Sequence, residues 1–347
     1  MNKADKYLIF FLIPVSLLIL LAAVSGCGSS SSSGGGPHAI SKIYLAGRGN
    51  DIVVFDPEAL TYEASIIISG AQTIYGVSAN PNQNIIYAVD SSASNRKIYS
   101  YNTQTLSLSD INVSGYDPSG FGRYSAISPN GAYVFAPAKS KAGIFAFDAS
   151  PLSLEKFATA EPIGSDWSFS AVADNNFAYF VDSSTKAVIF KYNISSKTIA
   201  ASLEVPSGGG PWFLKFNPQG NKIYVPISNQ NKVSVIDVGS FNFEAQPISV
   251  GNYPTDIGFS SGGKAYVVNF NDGSVSVINT STGSVTNTIT HQRLSGTSPN
   301  SIIVDEARQR IYLNSTTRKL ISVIDMTSET FTTTLELPSA TDQMSAK

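Results

Sequence analysis

The chain contains very little cysteine and histidine, the residues that most often build disulfides and metal centres. Cys27 is the only cysteine among 347 residues, and His38 and His291 are the only histidines. A single thiol excludes an internal disulfide and cannot supply an iron–sulfur cluster or a haem attachment site. Two histidines so far apart in sequence do not form a zinc or copper site. We therefore expect no cofactor and no metal.

Charged residues are also scarce, at 14% of the chain, and the formal net charge is only −2. Proteins that bind nucleic acid neutralise phosphates with clustered lysine and arginine, and no long basic run occurs here. The composition therefore argues against a nucleic-acid partner. After the N-terminal segment, no stretch of ten or more residues keeps the apolar spacing of a helix, which favours an all-β protein.

The one long apolar run lies at the N-terminus, where residues 8–24 follow Lys3 and Lys6. A basic start, an apolar stretch and small residues at a cleavage point predict a secretory signal. The alternative is an uncleaved membrane anchor, because about 17 apolar residues is the lower limit for spanning a bilayer.

The end of this run, VSGC at residues 24–27, resembles the lipobox of bacterial lipoproteins. The resemblance implies cleavage before Cys27 and acylation of that cysteine, so membrane lipid is an expected partner. Several acyl chains on one residue anchor a protein firmly, whereas a single chain binds only marginally. Gly28 stands where many Gram-negative lipoproteins retained at the inner membrane carry aspartate. This difference favours the outer membrane, on its periplasmic or surface face.

Composition divides the chain into three predicted parts. Residues 1–26 are the signal peptide, residues 27–40 are the lipidated cysteine with its tether, and residues 41–347 are the folded domain. The tether contains GSSSSSGGG at residues 28–36, which cannot bury apolar area and should be flexible. We expect the folded domain to be a monomer.

A repeated phrase dominates the folded domain: a tyrosine in a short apolar strand, a gap, and an alternating strand that ends in Asp or Asn. The seven tyrosines are Tyr44, Tyr87, Tyr133, Tyr179, Tyr224, Tyr266 and Tyr312, spaced by 42 to 46 residues. A period near 45 residues with short alternating strands is typical of β-propeller blades. We predict an all-β, seven-bladed propeller of four-stranded antiparallel blades.

The strand count predicts how the ring closes. Each repeat contains second, third and fourth strands, but only six clear first strands precede them. The missing innermost strand must come from the C-terminal tail, residues 339–347, which would pair with the N-terminal strand and remove a free sheet edge. Because the tail has few apolar residues, we expect this closure to be weak. Six blades with frayed ends is the alternative.

These repeats resemble the YVTN-repeat β-propellers, and through them the lactonase-like propellers and the haem-binding propeller of nitrite reductases. The segments that match best are YVVN and VSVIN from Tyr266, VSVID from Val233, and GNYPTDIGFSSGGKAYV from Gly251. The resemblance covers residues 42–338 and implies the fold. It implies function poorly, because one fold hosts many unrelated activities.

Two motifs have a chemical and a structural interpretation. Asp or Asn closes all seven third strands, which suggests metal ligands, but both residues also bond the backbone two residues on and start turns. We favour the turns. Gly258, Ser260 and Gly262 fit the G-x-S-x-G nucleophile pattern, yet that pattern requires a strand-to-helix elbow and a nearby histidine. Here it lies between two strands of one blade, where a plain hairpin turn is expected.

Ligands of propellers usually meet the face that carries the loops from second to third and from fourth to first strands. Aromatic residues and arginine are enriched in binding hot spots. On this basis the candidate ligand-binding residues are Arg48, Arg123, Asp166, Trp167, Trp212, Tyr253, Asp256, His291, Arg293 and Arg318. Packing between blades is the alternative role for the two tryptophans.

The sequence supports two functional hypotheses. The first is a non-catalytic binding or scaffold module at the cell envelope, with an envelope protein or a saccharide as its ligand. The second is an envelope lactonase-like hydrolase or isomerase, with Asp166, Asp256 and His291 as acid and base. A redox cofactor over the channel is a weaker third option, because histidine ligands are lacking. A deep pocket with convergent carboxylates would favour chemistry, and a shallow aromatic surface would favour binding.

Overall fold

The computed structural model describes residues 39–117, 120–139, 142–159, 168–183, 187–206 and 209–347. Within these ranges the chain forms 29 strands and a single 3-10 turn, Ser228–Gln230. No helix in the described ranges is long and apolar enough to cross a bilayer. The predicted signal peptide, Cys27 and most of the tether lie outside the described residues.

The strands form seven antiparallel sheets. Blade 1 contains β1 (Ile43–Ala46), β2 (Asp51–Asp56) and β3 (Thr61–Ile67). Blade 2 contains β4 (Ile74–Ala79), β5 (Ile85–Asp90), β6 (Lys97–Asn102) and β7 (Leu108–Asn112). Blade 3 contains β8 (Ala126–Ile127), β9 (Tyr133–Pro137), β10 (Gly143–Ala149) and β11 (Leu152–Thr159). Blade 4 contains β12 (Ser168–Ala173), β13 (Phe177–Asp182), β14 (Val188–Asn193) and β15 (Thr198–Glu204).

The last three blades follow the same order. Blade 5 contains β16 (Lys215–Phe216), β17 (Lys222–Ile227), β18 (Lys232–Asp237), β19 (Asn242–Phe243) and β20 (Ile248–Ser249), of which β19 and β20 both pair with β18. Blade 6 contains β21 (Pro254–Phe259), β22 (Lys264–Asn269), β23 (Ser274–Asn279) and β24 (Ser284–Ile289). Blade 7 contains β25 (Pro299–Asp305), β26 (Arg310–Ser315), β27 (Leu320–Asp325) and β28 (Thr330–Glu336). The final strand, β29 (Met344–Ala346), pairs with β1 and completes blade 1. The prediction of a seven-bladed propeller closed by its two ends is confirmed.

The repeated tyrosines explain why the period is so regular. Five of the seven are buried to 2% exposure or less, and each lies on a second strand within the packed blades. The Tyr87 hydroxyl donates to the Ala149 carbonyl of the next blade at 2.6 Å, and the Tyr312 hydroxyl donates to Pro57 of blade 1 at 3.1 Å. A phenol supplies a large apolar ring together with a hydroxyl that reaches the neighbouring blade. In these two blades the tyrosine therefore fills the interface and bonds the neighbouring blade, whereas the buried Tyr179 hydroxyl has no hydrogen-bond partner among the described residues.

Six of the seven polar residues that close the third strands accept hydrogen bonds from the turn that follows, as predicted, and the seventh, Asp148, accepts from the Ser153 hydroxyl at 3.1 Å. The Asp56 carboxylate accepts from the backbone N–H of Glu58 at 2.8 Å and of Ala59 at 2.9 Å. Asn102, Asn193, Asp237, Asn279 and Asp325 accept equivalent bonds from the turn that follows each of them. Asp and Asn serve equally because the turn needs only an acceptor oxygen.

Ring closure adds polar contacts to the apolar contact of Met344, which is buried in the core between blades 1 and 7. The Gln343 side chain accepts from the N–H of Val77 at 3.0 Å and of Ser125 at 3.3 Å, and donates to the Ser125 carbonyl at 3.0 Å. The Ser345 hydroxyl accepts from the Ala79 N–H at 2.9 Å. The tail therefore bonds the innermost strand of blade 2 and the segment entering that of blade 3, in addition to its own blade.

Asp342 is the centre of this closure. Its carboxylate is fully buried and accepts from the Tyr124 hydroxyl at 2.7 Å and the Asn300 amide at 2.8 Å. The Arg48 guanidinium donates to its other oxygen at 3.2 Å. One side chain thus joins residues of blades 1, 3 and 7 across the axis of the ring. A buried carboxylate is tolerated when it is paired and hydrogen-bonded in this way.

We expect Asp342→Ala to lower the free energy of unfolding by about 3 kcal/mol, because it leaves the Tyr124 hydroxyl and the Asn300 amide buried without their acceptor. Urea denaturation followed by circular dichroism measures this loss. The matched control is Asp325→Ala, which removes an exposed turn carboxylate and should cost clearly less. Equal losses in the two variants would contradict the central role of Asp342.

Candidate functional site

Five side chains form a continuous surface around the channel on the loop face, the side that carries the second-to-third and fourth-to-first connections. The Arg48 guanidinium lies 5.7 Å from the centre of the Tyr75 ring. Arg123 lies 5.0 Å from the same ring and 5.6 Å from the Trp212 ring. The Trp212 and Tyr253 rings meet edge to face, with centroids 6.1 Å apart. We name these five residues the arginine–aromatic belt.

Four of the five belt residues occupy the same position in blades 2, 3, 5 and 6, and Arg48 comes from the second-to-third loop of blade 1. Tyr75 is the second residue of β4. Arg123, Trp212 and Tyr253 lie one to three residues before β8, β16 and β21. The corresponding residue of blade 4 is Trp167, directly before β12, and it lies outside the described residues. Each such residue ends a fourth-to-first loop, where the chain turns inward toward the channel. Sequential blades therefore place their belt residues side by side.

The chemistry of the belt is cationic and aromatic. Tyr75, Arg123, Trp212 and Tyr253 are half-buried, and Arg48 is exposed. Arg48 is held from below by Asp342 and by the Thr316 carbonyl at 3.3 Å. Guanidinium groups over aromatic rings are attracted by the electron-rich ring faces, and guanidinium is the side-chain group whose geometry matches carboxylate and phosphate in two-point fashion. The belt can therefore bind an anionic group together with a flat apolar surface.

The floor beneath the belt is closed. Tyr124 and Phe213 stack with their ring centroids 4.3 Å apart and their planes inclined by 20°. They come from the segments that lead into the innermost strands of blades 3 and 5, and both are almost fully buried. The Tyr124 hydroxyl is fixed by Asp342. The loop face thus carries a stacked aromatic pair beneath the belt.

Asp256 is positioned very differently from the belt. It lies within β21 and is fully buried, and one oxygen accepts from the Ser301 hydroxyl at 3.2 Å and the Ile302 N–H at 3.1 Å of the next blade. Its other oxygen accepts from the Ile257 N–H at 2.8 Å and lies 3.9 Å from the Lys215 ammonium. Burial raises the pKa of Asp256, although Lys215 and the three hydrogen bonds oppose the rise. This carboxylate connects blades 6 and 7.

His291, Arg293 and Arg318 are exposed and lie on loops of blades 6 and 7. The His291 ring stacks on Phe331 at 4.1 Å, and its Nδ1 accepts from the Arg293 N–H at 3.1 Å. In the described part of the chain, no hydrogen bond or ring contact joins His291 to Asp256 or to the belt. The structure therefore brings Arg48, Arg123, Trp212 and Tyr253 together and leaves these three residues apart. Asp166, Trp167 and Cys27 lie outside the described residues.

Two further sequence motifs have structural roles. Ser260 follows β21, where its N–H donates to the Lys264 carbonyl at 2.9 Å, so the G-x-S-x-G match is the predicted hairpin turn. Among the described residues, no group of three His, Cys, Asp or Glu side chains is placed to hold a metal ion. Sequence reasoning missed Tyr75, although its position at the start of an innermost strand is the same signal that identified Trp212 and Tyr253.

Comparison with known proteins agrees with this architecture. The family model described as "Lactonase, 7-bladed beta-propeller" matches residues 44–330. No curated protein shows a significant match to the chain.

Solved structures with the same fold include apo AztD from Citrobacter koseri, at 11% identity and a TM-score of 0.61, covering 89% of this chain and 98% of AztD. The dihydro-heme d1 dehydrogenase NirN in complex with DHE has 12% identity and a TM-score of 0.58, with 88% and 75% covered. U3-55K has 11% identity and a TM-score of 0.61, with 76% and 82% covered. At these identities the similarity shows the fold alone.

The raised pKa of Asp256 predicts a stability that depends on pH. In the unfolded chain this carboxyl ionises near pH 3.8, whereas in the folded protein it ionises at higher pH. The folded state thus binds the proton more tightly, so the contribution of Asp256 to the free energy of unfolding falls as pH rises from about 4 through the folded pKa. Asp256→Asn removes this fall, and the variant should gain stability relative to the unmodified protein across that window.

Urea denaturation between pH 2.5 and 7 tests this prediction. The control is Asp325→Asn. The Ser328 N–H lowers the pKa of Asp325, so the contribution of this carboxylate to the free energy of unfolding changes with pH in the opposite direction. There the unmodified protein should gain stability relative to the variant as pH rises toward 3.8. A stability difference between Asp256→Asn and the unmodified protein that stays constant with pH would contradict the argument.

Proposed function

The chain belongs to the seven-bladed β-propeller lactonase family, and from this premise we propose that it is a non-catalytic binding module displayed at the bacterial cell envelope. The observation that carries the proposal is the arginine–aromatic belt. Its chemistry is that of a binding surface: two guanidinium groups alternate with three rings over a closed floor. Arginine, tyrosine and tryptophan are the residue types that dominate binding hot spots.

An acidic saccharide matches the belt best. Sugar rings present flat apolar C–H faces that pack on aromatic side chains, and a uronic acid adds a carboxylate that a guanidinium binds with two parallel hydrogen bonds. Arg123 lies between the Tyr75 and Trp212 rings, so one ligand can contact the cation and both rings. A neutral sugar would use only part of this surface.

Trp212 offers a direct readout of this binding. In a Trp167→Phe background it is the only tryptophan, so its fluorescence reports on the belt. We expect trigalacturonate to change this fluorescence with a saturable dependence on concentration, and Arg123→Gln to weaken binding at least tenfold. Maltotriose, which has no carboxylate, should bind far more weakly.

The matched control for this experiment is Arg318→Gln, which removes the same charge from an exposed loop residue outside the belt. Trigalacturonate affinity should hardly change in that variant. If neither saccharide alters Trp212 fluorescence, or if both arginine variants weaken binding equally, the belt is not an acidic-saccharide site.

Envelope display rests on the sequence before the domain and on where the domain begins. Because β1 is a second strand, it starts on the turn face, the side opposite the loop face. Arg308, in a turn of blade 7, donates to the Ile40 carbonyl at 2.9 Å. The described part of the chain therefore begins on the turn face, opposite the belt.

Substitution of the lipobox cysteine tests the anchor. In Cys27→Ser we expect loss of labelling by radioactive palmitate and transfer of the protein from the membrane pellet to the soluble fraction after cell lysis. Ala200→Ser, a substitution outside the N-terminal segment, should keep both properties. Membrane association that survives Cys27→Ser would support an uncleaved anchor instead.

A lactonase-type hydrolase is the second candidate, and the family match is the observation that favours it. In this hypothesis Asp166, Asp256 and His291 supply acid and base. The test is hydrolysis of glucono-δ-lactone above the spontaneous rate, measured with the unmodified protein and with an Asp256→Asn/His291→Ala variant. Enzyme-like turnover would overturn the binding proposal, and turnover unchanged in the variant would remove Asp256 and His291 from the chemistry.

A further inference from the structure

We propose a second ligand site at the opposite end of the channel, which takes a small amphipathic monoanion: one carboxylate on an apolar body. The site is a cavity of about 430 Å³, here named the turn-side cavity. Its walls are the C-terminal halves of the innermost strands, from Ile127 in blade 3 to Val304 in blade 7 and Ala346 of the tail. It differs from the belt in position, shape and chemistry.

The turn-side cavity is separate from the belt and open to solvent. The Tyr124–Phe213 stack lies between them, with Phe213 as part of the cavity wall. The strand-end residues Ile127, Phe216 and Val304 are each partly exposed, although they face the centre of the ring. A ligand can therefore enter from the turn face without passing the belt.

Lys215 gives the turn-side cavity its charge. It is the only charged residue among the described residues that line it. Its nearest carboxylate oxygen, on Asp256, is 3.9 Å away, which is too far for a hydrogen bond. Asp256 is fully buried and already accepts from Ser301 and Ile302. The Lys215 ammonium has three N–H donors, so it can bind a carboxylate in the cavity without breaking an existing hydrogen bond.

The remaining walls define the rest of the ligand. Most of the lining residues are aliphatic or aromatic, including Val172, Phe213 and Ile257, although the surface that the lining exposes is about half polar. The hydroxyls of Ser78 and Ser125 bond each other at 2.8 Å, so they do not demand a polar ligand group. One ammonium beside these apolar side chains favours a ligand with a single anionic group and a hydrocarbon body. A medium-chain carboxylate has this chemistry and fits the volume.

Octanoate is the probe, and octanol and octylamine are its neutral and cationic controls. Ligand-observed NMR titrations on the purified protein should show saturable binding of octanoate, at least tenfold tighter than octanol, and no binding of octylamine. Lys215→Met should weaken octanoate at least tenfold, about 1.4 kcal/mol, and leave octanol unchanged. Lys215→Arg should retain octanoate, since it keeps the charge.

Two further variants serve as controls, one for the loss of the cation next to Asp256 and one for binding at the belt. Lys215→Met leaves Asp256 without its neighbouring cation, so the double variant Lys215→Met/Asp256→Asn repeats the test with no unpaired buried carboxylate. Arg123→Gln, in the belt, should leave octanoate binding intact, which makes the outcome independent of the acidic-saccharide proposal. No octanoate binding, binding unchanged by both Lys215→Met variants, or equal binding of octanol would overturn the turn-side site.

Discussion

The propeller depends on one constraint: seven sheets make a stable ring only if the last contact joins the two ends of the chain. Here that contact is β29, a strand of only three residues that pairs with β1. The hydrogen bonds of Asp342 and Gln343 to other blades supply what the strand lacks. A carboxylate that accepts from three blades across the ring axis cannot be satisfied unless the ring has closed in one register.

The same contact organises the loop face. Asp342 holds the Arg48 guanidinium at one end of the belt and the Tyr124 hydroxyl in the floor beneath it. Tyr124 in turn stacks on Phe213, the residue after Trp212. The closure of the ring and the geometry of the belt are therefore parts of one network, and a change at residue 342 reaches both. Binding surfaces gain from this rigidity because less motion is lost when a ligand binds.

The sequence predicted the architecture because second and third strands repeat their whole pattern, tyrosine and terminal Asp or Asn included. The innermost strands carry a much weaker signal, since β8 and β16 have only two residues each. Tyr75 was missed although it lies at the start of a six-residue innermost strand, and Asp256 was assigned to a loop although it is buried within β21. The prediction of weak closure considered only the composition of the tail. The hydrogen bonds of Asp342 to Tyr124 and of Gln343 to Ser125 join residues that are 218 positions apart in the sequence, and no local pattern encodes such contacts.

The innermost segment of blade 5 shows how one short stretch of chain serves both ends of the channel. Trp212 belongs to the belt, Phe213 to the floor, and Lys215 to the turn-side cavity. A strand advances by about 3.3 Å per residue, so these residues span about 10 Å along the axis. That distance is enough for a closed aromatic layer between two solvated regions. The Tyr124–Phe213 stack, held by the Asp342 carboxylate, lies between the belt arginines and Lys215, so each end can bind an anion through its own cation.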